Sequence, residues 1–94
     1  MNYELELDDL LSTMVKQNAS DLHLTVGRHP TMRIDGVLYA ITKKEFSTGE
    51  YTRGIASVML TKEQSAQLEQ DKELDFSFDY QEKARFRVNV FYQR

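Results

Sequence analysis

The chain has 94 residues, 40% of them hydrophobic, no cysteine and a formal charge of -3. That length supports one hydrophobic core and excludes a second domain. The missing cysteines exclude disulfides, thiol catalysis and cysteine-based zinc sites, and suit a reducing compartment. The acidic balance makes nucleic acid a poor partner. No run reaches the ~20 apolar residues of a membrane span, and Met1-Asn2-Tyr3-Glu4 lacks the basic and apolar signature of a signal peptide, so a soluble, unexported chain is expected.

In chain order, Leu7, Leu10, Leu11, Met14 and Val15 have the spacing of one helical stripe between Glu4 and Asn18, with Asp8 and Asp9 facing water near the positive helix end. Around Ala19 or Ser20 the period drops to two. Leu22, Leu24 and Val26 alternate with Asp21, His23 and Thr25, which predicts a half-buried strand with outward polar residues. Gly27 to Pro30 turn, Met32 and Ile34 resume the alternation, and Asp35-Gly36 suits a two-residue hairpin leading to an antiparallel strand over Val37 to Ile41.

Thr42 to Gly49 reads as a loop, and Tyr51, Ile55, Val58 and Met59 mark a short helix that contains Gly54. Thr61-Lys62-Glu63-Gln64 matches a capping box, so a helix should run from Lys62 to about Asp71. The rest is a hairpin: Leu74, Phe76, Phe78 and Tyr80 alternate, Gln81 to Lys83 turn, and Ala84, Phe86, Val88 and Val90 alternate again. The order helix, three strands, two helices, two strands predicts an α+β domain with a mainly antiparallel sheet of about five strands and helices on one side.

Local chemistry is sparse. Ser20, Asp21 and His23 are the one tight cluster of nucleophile, acid and base types, but strand periodicity points Ser20 away from the other two, and no glycine elbow presents the serine. His23 and His29 do not fit a common zinc spacing; they read as an outward strand residue and a loop residue. No glycine is followed by the lysine of a phosphate-binding loop, and Ser47-Thr48-Gly49-Glu50 has the wrong charge for one. No catalytic residue, metal or cofactor is therefore assigned to this chain alone.

Arg85 and Arg87 lie opposite Phe86 and Val88 on the last strand, and Asn89 and Phe91 continue the arginine face. One reading is a solvated face with the arginines paired to Asp75 and Asp79 across the hairpin. The other is a contact surface, offering guanidinium groups to another domain's phosphates or carboxylates.

Four ordered segments, Asn18-Ala19-Ser20-Asp21-Leu22-His23-Leu24, Met32-Arg33-Ile34-Asp35-Gly36, Leu74-Asp75-Phe76-Ser77-Phe78 and Ala84-Arg85-Phe86-Arg87-Val88-Asn89, resemble the N-terminal domain of PilT-type type IV pilus retraction ATPases, over nearly the whole chain. The resemblance implies a PAS-like domain over residues 1–94, joined in the full-length protein to an absent RecA-like ATPase domain that binds ATP and Mg. It also implies a homohexamer in the cytoplasm at the inner-membrane pilus base. There the domain would pack on its own and neighbouring ATPase domains, contact the pilus base machinery and transmit nucleotide-driven motion for pilus disassembly and twitching motility. Arg87 matches the family arginine that reaches the nucleotide phosphates, and Arg85, Asn89 and Phe91 are interface candidates; the usual second arginine would lie beyond Arg94.

His29-Pro30 keeps one of the two prolines usual in this turn, and Thr42 to Arg53 has no counterpart. Ser20-Asp21-Leu22-His23 and Arg33-Ile34-Asp35-Gly36 also resemble pilus-assembly and type II secretion ATPases. A first helix beginning almost at Met1 favours retraction. A stand-alone PAS-like sensor with a ligand cavity, or an interaction domain dimerising through an exposed edge at Phe91 to Arg94, are the remaining alternatives. The aromatic residues Phe76, Phe78, Phe86 and Tyr92 favour a filled core over a cavity.

Overall fold

The computed structural model describes residues 1–92 and contains three helices and five strands. Helix α1 (Tyr3–Gln17) starts at Asn2, whose side chain accepts the Leu5 amide, and stops at Asn18 in the left-handed conformation. Its stripe of Leu7, Leu10, Leu11 and Met14 is buried, whereas Val15 is exposed, so the stripe is narrower than its spacing predicts.

Strand β1 (Asp21–Thr25) is followed by β2 (Thr31–Ile34) and β3 (Val37–Ala40). The β2–β3 turn puts Asp35 and Gly36 at φ 50° and 82°, as a two-residue hairpin requires. Helix α2 (Gly49–Ser57) starts earlier than its apolar residues suggest, because Thr48 accepts the Tyr51 amide and caps it. That cap is the structural role of the Ser47-Thr48-Gly49-Glu50 segment. Helix α3 (Lys62–Asp71) carries the complete capping box between Thr61 and Gln64. Strands β4 (Glu73–Tyr80) and β5 (Ala84–Phe91) close the chain as a hairpin.

The five strands form one sheet in the order β3-β2-β1-β5-β4. All neighbouring pairs are antiparallel except β1 and β5, which run parallel at its centre. The sheet is therefore mixed but mostly antiparallel. Leu22, Leu24, Met32, Leu74, Phe86, Val88 and Val90 form its apolar face and pack with Leu7, Leu10, Leu11, Met14, Ile55 and Leu68 from the helices in one core. Each large side chain buried there contributes about 1.5 to 3 kcal/mol relative to exposure. Phe86 and Tyr92 belong to this core, and Phe76 and Phe78 pack against it half-buried.

The expected edge changes. Phe91 is not on an edge: it sits between Thr25 of β1 and Glu73 of β4. Gln93 and Arg94, the remainder of the expected edge, lie outside the described residues. The edges are β4 and β3, and β3 exposes Val37, Leu38 and Tyr39, each about half.

Candidate functional site: the open face of the sheet

The strand register assembles the uncovered face of the sheet in rows. Leu38, Arg33, Asp21, Arg87 and Ser77 are consecutive partners across β3, β2, β1, β5 and β4. The next row runs Ala40, Thr31, His23, Asn89 and Asp75. Side chains directly opposite one another share a face, so Arg33, Asp21 and His23 join the interface candidates Arg87 and Asn89 on one surface. Ser20 ties the arginine strands together: its amide donates to the Arg33 carbonyl at 2.9 Å, and its carbonyl accepts the Arg87 amide at 3.2 Å.

The candidate residues differ in how far they are already engaged. Arg85 pairs through Nε with Asp79 Oδ1 at 3.1 Å, across the hairpin as expected. Asn89 Nδ2 donates to Asp75 Oδ1 at 3.0 Å, so Asp75 serves Asn89 and not an arginine. Arg33 Nη1 donates to the Gly36 carbonyl at 2.9 Å. Arg87 faces Ser77 on β4, and its Nη1 lies 3.9 Å from Asp21 Oδ2, on the other neighbouring strand. Its side chain is 77% exposed, which leaves most of its hydrogen-bonding capacity open. Phe91 is half-buried at the end of the same strand.

Asp21 departs from its expected outward, solvated position. The residue is only 8% exposed, and its Oδ1 accepts the Ser20 hydroxyl at 2.6 Å. Ser20 thus bonds a carboxylate instead of standing as a nucleophile. His23 departs as well: its Nε2 is buried and has no hydrogen-bond partner among the described residues. His29 places Nδ1 2.6 Å from the Lys44 carbonyl and stacks edge-on against Phe46. Among the described residues no three His, Cys, Asp or Glu side chains are grouped to hold a metal.

A second constellation has no counterpart among the sequence motifs. Lys44 Nζ bonds Glu6 Oε1 at 3.1 Å and Asp9 Oδ2 at 2.6 Å, and the Tyr51 hydroxyl donates to Glu6 Oε2 at 2.6 Å. These bonds fasten the loop before α2, through Lys44, and α2 itself, through Tyr51, to α1. Although burial opposes its charge, hydrogen bonds and charge attraction from Asp9 and Glu6 hold the Lys44 ammonium above its ordinary pKa. Burial and the bond to Glu6 raise the Tyr51 phenol. Beside this network is an open cleft of about 400 Å³, bounded by Tyr3, Glu6, Phe46 and Tyr51. It lies at the surface, outside the core.

No family model matches the sequence. The chain is 38% identical over 89 residues to the type IV pilus retraction ATPase PilT of Pseudomonas aeruginosa, a stretch covering 95% of this chain and 26% of that protein. It is 33% identical over 90 residues to the type IV pilus ATPase PilU of the same organism, covering 96% of this chain and 23% of that one. A crystal structure of the pilus retraction motor PilT with bound ADP superposes with a TM-score of 0.71 at 36% identity, over 92% of this chain and 25% of that one.

The chain is a homologue of the PilT and PilU pilus ATPases. It spans about a quarter of the length of each, consistent with an N-terminal domain, and its α+β fold is found in the PilT structure. Among the described residues no helix is long and apolar enough to cross a membrane.

Proposed function

We propose that residues 1–94 are the N-terminal domain of an ATP-driven type IV pilus retraction motor whose ATPase domain lies outside this sequence. In this reading the motor is a cytoplasmic homohexamer at the inner-membrane pilus base. The open sheet face packs on ATPase domains, its own or a neighbour's, and passes nucleotide-driven motion toward pilus disassembly. ATP and Mg are bound by the full-length protein, and this domain contributes Arg87 to the phosphates. Arg85, Asn89 and Phe91 border that contact.

The observation that carries this reading is the state of Arg87. On the face that the helices leave uncovered, Arg85 and Arg33 are each spent on a hydrogen bond or ion pair within 3.1 Å, while Arg87 has one carboxylate at 3.9 Å and is otherwise in solvent. A permanently charged, planar group held by a rigid central strand and still free at its tip is suited to neutralising phosphoryl charge on another domain. The likeness to PilT over nearly the whole chain supports reading that other domain as an ATPase domain.

The test is the coding sequence beyond the Arg94 codon. A Gly-x-x-x-x-Gly-Lys-Ser/Thr loop within about the next hundred codons supports the motor reading, since that loop cradles nucleotide phosphates. A stop codon directly after Arg94 defeats it.

A further inference from the structure

Asp21 is the least exposed acidic residue of the described chain and sits at the centre of the open face, with an arginine strand on each side. Arg33 is its register partner on β2 but is turned to the Gly36 carbonyl. Arg87, its partner on β5, is the cation that approaches it, at a distance longer than a hydrogen bond. The carboxylate itself is fixed: the Ser20 hydroxyl holds Oδ1, and the backbone of Ser20 is bonded to β2 and to β5. Oδ2 faces the guanidinium. One end of the pair is held by bonded neighbours and the other stands in solvent.

Resting on the phosphate role of Arg87 given above, we infer that Asp21 is a positioning residue that holds Arg87 in a loose parked state, from which the guanidinium swings to an incoming phosphate. At 3.9 Å, with its guanidinium 77% exposed to screening solvent, the pair is weak, so leaving it costs little. The carboxylate cannot follow, because it is buried and bonded. Asp21 therefore competes with the phosphate for one cation, setting how readily Arg87 is released. Ser77 stands opposite Arg87 on β4, where a carboxylate would hold it from the other side. The neutral hydroxyl there leaves Asp21 as the one competing charge in that row of the sheet.

The experiment titrates the 94-residue chain with pyrophosphate at fixed ionic strength and follows the side-chain Nε–H resonances of Arg87 and Arg33 by NMR. Asp21→Asn keeps an acceptor for Ser20 while removing the competing charge, and should tighten binding at Arg87 about two- to threefold, the scale of a weak, solvent-screened ion pair. Ser77→Asp should weaken it by a similar factor, and being an exposed substitution it preserves the fold. Arg33, equally near Asp21 in register but bonded elsewhere, should respond much less than Arg87 in both variants. Unchanged or weaker pyrophosphate binding in folded Asp21→Asn overturns the inference. If that variant does not fold, unchanged binding in Ser77→Asp overturns it, as do equal responses at Arg33 and Arg87. Because the readout needs no ATPase domain, it fails separately from the motor reading, which falls instead on the coding sequence.

Discussion

Gly54 lies directly under the ring of Tyr3: a Cβ at position 54 would overlap the outer ring carbons of that tyrosine. The glycine that weakens α2 by sequence is the one residue that lets the start of α1 pack across it. Alanine inside a helix usually gains up to about 1 kcal/mol over glycine. Here Gly54→Ala should instead cost about 1 to 2 kcal/mol, because the ring has to leave its place on the core. In a Tyr3→Ala background the same change should become stabilising, and urea unfolding of the four variants measures both signs.

Thr61 and Gln64 satisfy each other's backbone amides, at 3.2 Å and 3.0 Å. Thr61→Ala should cost about 1 kcal/mol by freeing the Gln64 amide. Thr61→Ser, which retains the hydroxyl, should cost much less. A denaturant midpoint for Thr61→Ala equal to that of the parent would show that the box contributes nothing.

At high pH, three buried or half-buried phenols act together. Burial, with the charge of Glu69, pushes Tyr92 up to about 12, while Arg53 above its ring opposes the shift. Tyr80 is raised by the hydrogen bond it gives Asp8, and Tyr51 by burial and Glu6. Each raised pKa means that the neutral phenol is favoured in the fold. Their stabilisation is complete below the ordinary value of 10.0 and is lost as pH rises toward and past 12. The melting temperature should fall steeply over that range, and Tyr92→Phe should flatten the fall.

At low pH, Asp9 acts in the other direction. The hydrogen bond from Lys44 keeps its carboxyl below the ordinary 3.8, so its contribution is present above that value and is lost as pH drops through the lower folded value. The side chain is half exposed, which limits the effect to about 0.5 kcal/mol. Asp9→Asn should lower stability by that amount at pH 7 and by nothing at pH 2, as read from urea midpoints.

Elements set by neighbours in sequence could be read from it. The Asp35-Gly36 hairpin, the Thr61 box and the alternation of Phe86, Val88 and Val90 depend on contacts within a few residues, and each is found in place. Features set by distant partners could not. Alternation gives a strand its two faces but not its neighbour, so the parallel seating of β5 on β1 carries no local signal. That seating brings Arg87 to Asp21, whereas hairpin reasoning pairs it with a carboxylate on β4. His23 Nε2, which the two-residue period places in water, is buried. Lys44 meets Glu6 and Asp9 across more than thirty residues of chain, a contact that composition does not signal.

If Arg87 serves a nucleotide held by another domain, ATP turnover by the intact ATPase carrying this domain depends on it. Arg87→Ala should leave the stability of the isolated domain within about 0.5 kcal/mol, since the side chain is largely in solvent. The same change in the intact motor should lower turnover at least about tenfold, because arginines at developing phosphoryl charge are worth roughly a thousandfold or more. Arg85→Ala, already paired within the hairpin, should lower it far less. Undiminished turnover by an intact Arg87→Ala assembly would exclude a phosphate role for Arg87.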